Sequence, residues 1–364
     1  MSYLSPKFST TGGVPAMKLG TLETWGFAAD DGVGGLVLSG VDGANNVWIT
    51  RVSDPLVPAN LTGALWVNLA PGVATDMWHI YAFGFHWITY SNKGTDQLTL
   101  LVVRPDAVFT AASVVRSVLV IDPTGAGLVP PGPYVTNDHF SVTSTARAGN
   151  IVIGVWIPSA HVMSMVHVDS SGALGTIVDV DDRGQIVNGA SAAMSAAMAT
   201  LRVLDVNRLV APTAMDPAAA GLLGLHEYDG SWATRLGGRI LLQDSTGSTN
   251  YSMATEALFP GVLNDYTLLT YRKITPLATG TSDYGYISRT LFNDTTEAVE
   301  TPEEELNLDS SGAPIANAAR PHTLVWRKPK DNRRLAHDTY VVTLWCYQDS
   351  EGVHQKIQID LVSK

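Results

Sequence analysis

A unit of three short strands recurs along this chain, and that recurrence limits its fold more than any other feature. The unit is clearest over residues 79–106, HIYAFGFHWITYSNKGTDQLTLLVVRPD. Segments at about 79–83, 86–91 and 98–104 are rich in aromatic and β-branched residues, and turn formers such as Ser91-Asn92-Lys93-Gly94 separate them. That composition suits antiparallel hairpins. Aligning the first segment of each copy places the starts near Glu23, His79, His139, Ala197, Tyr251 and His322, at intervals of 54 to 71 residues. Several strands per repeat at such a period mark radially repeated sheets. The expected fold is all-β: a single-domain, six-bladed β-propeller with blades at approximately 22–76, 77–136, 137–195, 196–248, 249–319 and 320–364 plus 1–10. A five- or seven-bladed ring, or two stacked β-domains, is the alternative if the weaker fourth unit is misread.

The last unit shows only three strong strands before Lys364. Tyr3 to Ser9 precede the first unit, so they are expected to pair with the last blade and close the ring, which removes an open sheet edge. The second segments, including His86–Tyr90, Ile151–Trp156, Tyr266–Tyr271 and Tyr340–Trp345, are near-continuous apolar runs. Sandwiched between neighbouring blades, they read as core with no functional message. Asp169-Ser170-Ser171-Gly172-Ala173 and Asp309-Ser310-Ser311-Gly312-Ala313 are identical, and Asp122-Pro123-Thr124-Gly125-Ala126 is a looser copy. Asp opening a turn and Gly taking positive φ explain all three as punctuation. The longest interval reflects an acidic insertion between Phe292 and Arg320, read as a surface loop or a partner-facing flap.

With 45% hydrophobic and 16% charged residues, the chain has ample material for a large core. Its net charge of −11 disfavours nucleic acid as a partner. The start lacks the basic and apolar regions of a signal peptide, and no apolar run is long enough for a transmembrane helix, so a soluble protein without membrane insertion is expected. Compartment is left open. The lone Cys346 excludes an intrachain disulfide and lies in an apolar strand as a buried, inert thiol.

Candidate chemistry is sparse. His79, His139 and His322 sit at matching positions at the start of first strands, where three neutral imidazoles converging on the channel would hold a divalent metal, the one cofactor the pattern allows. Glu23 and Glu256 also fall on first strands, where paired carboxylates would serve acid–base hydrolysis. Asp179-Val180-Asp181-Asp182-Arg183-Gly184 fails as a calcium loop because its fifth position is Arg183 and its twelfth Ala190. His226-Glu227-Tyr228-Asp229-Gly230 lacks the second histidine of a zinc-protease helix. Three asparagine glycosylation triplets, at Asn60, Asn250 and Asn293, are near chance for this composition.

Charge segregation points elsewhere. Arg327, Lys328, Lys330, Arg333 and Arg334 form a basic cluster, and Glu303, Glu304 and Glu305 belong to the acidic insertion. Opposite patches on one rigid body favour association, so these residues are the candidate partner-binding set. The leading expectation is a non-catalytic binding or assembly module for protein or glycan partners, a surface or virion component able to form homo- or hetero-oligomers. A metal-dependent hydrolase or lyase in the channel and a glycan-binding lectin are the alternatives. A lectin repeats its binding residues from blade to blade, whereas an enzyme breaks the symmetry at one end.

Overall fold

The structure is a computed structural model that describes residues 4–9, 25–31, 35–92, 94–122, 127–128, 141–157, 162–180, 192–194, 200–203, 207–215, 222–230, 232, 235–243, 250–259, 262–275, 284–301, 303–308, 318–330, 337–349 and 352–363. The described strands form six antiparallel sheets of four or five strands. Sheet 1 comprises Trp25–Ala29, Leu36–Val41, Val47–Val52 and Val67–Ala70. Sheet 2 comprises Ala74–Ala82, Phe85–Asn92, Leu98–Val103 and Val114–Ile121; sheet 3 comprises Ser141–Arg147, Asn150–Ile157, Val162–Asp169 and Leu174–Val180. Sheet 4 runs from Ala192–Met194 and Thr200–Val203 through Asn207–Met215 and Leu222–Tyr228 to Arg235–Gln243. Sheet 5 holds Asn250–Phe259, Leu263–Thr275 and Tyr284–Asn293, with Ala298–Val299 and Glu304–Glu305 at its outer edge. Sheet 6 holds Ala319–Pro329, His337–Asp349 and Gly352–Val362, and Leu4–Ser9 pairs beside the last of these.

First strands meet in a closed circuit. Ala74–Ala82 touches Trp25–Ala29 and Ser141–Arg147; Thr200–Val203 touches Ser141–Arg147 and Asn250–Phe259; Ala319–Pro329 touches Asn250–Phe259 and Trp25–Ala29. The fold is therefore an all-β propeller with its first strands around a central channel. The N-terminal strand pairs at the outer edge of sheet 6, with Leu4 opposite Val362 and Ser9 opposite Gln358.

Local sequence explains the strands. Leu98–Val103 is buried at every position, as is Leu36–Val41, because neighbouring sheets cover both faces. A continuous cluster including Phe27, Val37, Trp78, Trp87, Leu100, Val142 and Ile153 spans sheets 1 to 3. Each fully buried side chain of this size contributes about 1.5–3 kcal/mol. At the tip of sheet 2's first hairpin, Phe83 and Gly84 have φ of 51° and 79°, the double positive φ of the two-residue turn that matches strand twist. That turn sets Ala82 opposite Phe85 and Tyr81 opposite His86. At the exit of sheet 3's third strand the Asp169 turn works as its sequence suggests. Asp169 Oδ1 accepts from the backbone of Ser171 and Ala173 at 2.8 and 2.9 Å, and Gly172 has φ of 84°. Its copy at 309–313 and the variable part of the copy at 122–126 lie outside the described residues.

The acidic insertion, read as a surface loop or a partner-facing flap, also carries short strands. Residues Ala298–Val299 and Glu304–Glu305 pair with Tyr284–Asn293, so the segment supplies the outer edge of sheet 5. Thr290 Oγ1 donates to the Thr301 carbonyl at 2.8 Å, and Asn307 Oδ1 accepts from the Ile287 amide at 2.8 Å. Unpaired edge groups of the third strand are thereby satisfied.

Polar pairs fasten the seams between sheets. Arg289 of sheet 5 is fully buried and donates to Asp360 of sheet 6 at 2.5 Å and to Glu304 at 2.8 Å. Asp76 of sheet 2 accepts from the Val142 amide of sheet 3 at 3.1 Å and from Arg320 of sheet 6 at 3.2 Å. Gly26 lies so close to Gln355 that an added Cβ would stand 2.6 Å from its side-chain amide nitrogen, so a larger residue there would have to displace the Gln355 side chain at the sheet 1 to sheet 6 seam.

Two outcomes follow from these seams. Deleting residues 1–9 exposes the edge of Gly352–Val362 and is expected to lower the thermal midpoint and promote aggregation, read by calorimetry and size-exclusion chromatography; unchanged behaviour contradicts the closure. Replacing Arg289 with Leu strands the buried Asp360 carboxylate and should cost about 3–5 kcal/mol in denaturant unfolding, most of it recovered by adding Asp360→Leu.

Candidate functional site

The ends of the first strands gather at one mouth of the channel. Asp30 and Asp31 follow the first strand of sheet 1, Tyr81 and Leu258 close those of sheets 2 and 5, and Val325 and Arg327 lie late in that of sheet 6. Together with His337 they line a cavity of about 590 Å³. A deeper cavity of about 280 Å³ is lined by Ala28, Trp78, His79, Tyr81, Ser144 and His322, among others. The mouth breaks the symmetry of the repeats, because sheets 1, 2, 5 and 6 line it with different side chains: two carboxylates, a phenol, aliphatic groups, a guanidinium and an imidazole.

The mouth is preorganised from behind. Arg51, on the third strand of sheet 1, pairs through Nη2 with Asp31 Oδ2, donates from Nε to the Asp106 carbonyl at 3.2 Å and lies 5.7 Å from the Phe109 ring centre. Asp31 is buried, and its Oδ2 also faces His86 Nε2 at 3.7 Å. A second mouth carboxylate, Asp30, accepts from the Arg327 amide at 2.9 Å and so anchors sheet 6 to sheet 1. Burial, with the Asp31 charge second, raises the Tyr81 phenol above its ordinary value and keeps it protonated.

Residues two apart share a strand face, and the Phe83-Gly84 turn fixes the pairing of the hairpin. His79, Tyr81 and His86 therefore lie on one face, with the His86 ring 5.1 Å from that of His79 and 4.9 Å from that of Tyr81. Ser39 Oγ lies 2.7 Å from His79 Nδ1, and His79 Nε2 lies 3.0 Å from His86 Nδ1. Asp31 completes a line of polar groups from the interior of sheet 1 to the mouth.

Of the histidines expected to share a metal, His79 and His322 both line the deeper cavity, and His139 lies outside the described residues. Both ring nitrogens of His79 are engaged by protein groups. His322 Nε2 faces the Ala28 carbonyl at 3.4 Å, and its ring packs against Phe27 and Trp78 at 4.7 and 5.3 Å. Among the described residues no group of three or more His, Cys, Asp or Glu is arranged to hold a metal ion. Glu256 is buried on the first strand of sheet 5, on the same face as Leu258 of the mouth, and Glu23 lies outside the described residues.

Four of the eight candidate partner-binding charges are matched within the chain. Lys328 pairs with Asp54 at 2.6 Å and Lys330 with Asp338 at 2.8 Å. Glu303 accepts from Lys273 at 2.7 Å and Tyr271 at 2.6 Å, and Glu304 pairs with Arg289 at 2.8 Å. Arg327 lines the mouth, Glu305 pairs by backbone with Ser288, and Arg333 and Arg334 lie outside the described residues.

Sequence reasoning missed Ser39, Arg51, Asp31 and His86. His86 stands in a run read as pure core, yet the spacing of His79 and His86 around the tight turn at Phe83-Gly84 was the signal that could have paired them.

No family model matches the chain, and no match was found among curated proteins. Solved structures resemble it in fold. A neuraminidase-like protein of a flat-faced bat strain from Peru matches with a TM-score of 0.54 at 8% identity, over 99% of this chain and 93% of that one. A neuraminidase-like protein of a bat strain from Guatemala matches at 0.51 and 8% identity, over 98% and 92%. A mutant α-L-arabinofuranosidase from Fusarium graminearum, solved with an iminosugar inhibitor, matches at 0.50 and 10% identity, over 79% and 92%. Such identities establish the propeller fold alone.

These findings correct the expected non-catalytic binding or assembly module. This fold is shared with a protein named as a glycosidase, so the ring by itself does not argue for a platform. Four of the eight charges that carried that expectation, Lys328, Lys330, Glu303 and Glu304, are paired inside the chain.

Burial holds the imidazoles neutral. It pulls His322 down to about 4 and drives His79, which also feels His86, well below its usual range; His86 is lowered less, because Asp31 opposes the desolvation. Below pH 6.5 the unfolded chain takes up protons that these side chains refuse in the fold. Their contribution is therefore full above that pH and is lost as pH falls toward 4, with His322 alone accounting for roughly 3 kcal/mol. Buried Asp76, whose pKa is raised by desolvation, acts in the opposite sense. Replacing His322 with Phe, which keeps the aromatic packing, should flatten the loss of stability between pH 6.5 and 4.5 in urea unfolding; equal slopes contradict the assignment.

Proposed function

We propose that the protein is a glycoside hydrolase whose site is the channel mouth around Asp31. The observation that carries this reading is the buried Asp31 carboxylate, held by Arg51 on the wall of the mouth cavity. Glycoside cleavage needs a carboxylate that stays ionised, as base or nucleophile, and a carboxylic acid that gives a proton to the leaving oxygen. Asp31, held by Arg51, is assigned the base or nucleophile role. Glu256, buried and two residues before Leu258 on the same strand face, is assigned the acid role. Tyr81, protonated, and Arg327 supply donors for sugar hydroxyls at the rim. A cavity of about 590 Å³ falls in the ordinary range for small-molecule sites.

The broken symmetry of the mouth supports an enzyme over a repeated lectin site. The fold shared with an α-L-arabinofuranosidase makes arabinofuranosides the first substrates to try. Each of the six sheets is taken as one blade in this reading, which the closed circuit of first strands supports.

A panel of 4-nitrophenyl furanosides and pyranosides, with arabinose first, tests the proposal by release of nitrophenol. Asp31→Asn should lower kcat by about 10²–10⁴-fold with the fold intact by circular dichroism. No turnover of any member by the wild type, or full activity in Asp31→Asn, defeats it.

A further inference from the structure

The line of polar groups behind the mouth has a direction set by elementary hydrogen-bond chemistry. Each neutral imidazole carries one N–H and one lone pair, so in a chain of contacts the donors must all point the same way. Two arrangements satisfy the links at 2.7 and 3.0 Å. In one, the Ser39 hydroxyl donates to His79 Nδ1, His79 Nε2–H donates to His86 Nδ1, and His86 carries its remaining proton on Nε2. In the other, every proton is reversed and His86 presents an Nε2 lone pair.

His86 Nε2 faces the Asp31 carboxylate at 3.7 Å. A lone pair aimed at an anion in a buried site is repulsive, whereas an N–H aimed at it is attractive. Electrostatics at the mouth therefore selects the first arrangement for the whole line. We propose that Ser39, His79 and His86 form a positioning relay for Asp31, with both imidazoles in the Nε2–H tautomer and the His86 N–H directed at the carboxylate. This rests on the role given to Asp31 above.

The surroundings fit such a task. The His86 ring packs against Tyr81 at 4.9 Å and Phe109 at 5.7 Å, which fixes its plane and keeps water away. Ser39, His79 and His86 are 0, 2 and 0% exposed. Charged and titratable groups facing His86 are Asp31 and Arg51 from sheet 1, with Tyr81 and His79 from its own sheet; His79 in addition feels His322 from sheet 6. Hydrogen-bonding reach is shorter than 3.7 Å by roughly 0.7 Å, a gap that a small shift of Asp31 toward His86 closes when substrate fills the mouth. Such a contact holds the carboxylate in one orientation without touching the sugar.

Labelling the histidines with ¹⁵N and recording long-range proton–nitrogen spectra at neutral pH tests the relay on the intact protein, with or without a known substrate. Each of His79 and His86 should show a protonated Nε2 and an unprotonated Nδ1, assigned through His79→Gln and His86→Gln variants. A protonated Nδ1 on His86, or tautomer mixtures on both rings, overturns the relay whatever the protein hydrolyses. Ser39→Ala leaves Asp31 to set the direction, so His79 and His86 should both keep the Nε2–H tautomer; a switch of either ring to Nδ1–H in that variant also overturns it. Once a substrate is in hand, His86→Phe should lower kcat about 10-fold with little change in KM and shift the acidic limb of the pH profile. Intact kcat and an unshifted limb refute the positioning role, and neither result bears on whether Asp31 is catalytic.

Discussion

Antiparallel pairing of Leu4–Ser9 with Gly352–Val362 is the constraint on which the ring depends. A propeller gains its rigidity because each sheet is covered on both faces by its neighbours, and one missing strand leaves an apolar edge in water. Here Leu4–Ser9 and the last three strands share one sheet, with Leu4–Ser9 on its outer edge and Ala319–Pro329 at the channel. Distant parts of the chain also meet at the mouth. Asp31 lies near the chain's beginning and Arg327 and His337 near its end, yet they line one cavity.

Apolar packing alone would let the sheets slide against each other, since hydrophobic contact has no direction. The polar seams supply the direction. Arg289 reaches Asp360 across one junction, and Asp76 ties sheets 2, 3 and 6 together at the channel end where their first strands begin. Such buried charges add little net stability, because desolvation offsets most of their attraction. Their worth lies in penalising other registers, in which the same charges would be stranded. The Asp30 bond to the Arg327 amide does the same at the mouth.

Much of this was legible in the sequence. Alternation, apolar runs and turn residues gave the strands, and third strands such as Val47–Val52 and Leu222–Tyr228 lie where composition puts them. The N-terminal strand was recoverable by counting strands in the last repeat. The edge strands of the acidic segment were missed because they are only two residues each, too short for any periodicity. The mouth was harder for a different reason. Asp31 and Arg51 are 20 residues apart within sheet 1, and Ser39 and His79 are 40 apart on two sheets, so one meeting depends on strand order within a sheet and the other on how sheet 1 packs on sheet 2. Repeat-based reasoning directs the eye to equivalent positions, and His79, His139 and His322 were singled out for that equivalence. Chemistry in a ring sits where the equivalence fails.

That failure has a physical basis. Residues in the middle of a blade face neighbours of similar shape in every repeat, and packing density keeps them alike. At the mouth the first strands end and loops begin, so a side chain can change without opening a cavity. A polar network is tolerated there only if it is directed and satisfied, since a buried imidazole without a partner would cost about 1–3 kcal/mol. Sheet 2 meets most of that demand by a local device: the turn at Phe83-Gly84 brings His79, Tyr81 and His86 onto one face, and sheet 1 answers with Ser39, Asp31 and Arg51, leaving only the 3.7 Å step from His86 Nε2 to Asp31 beyond hydrogen-bond reach. The junction of these two sheets is thus the place where the rigidity of the ring becomes the fixed orientation of a single carboxylate.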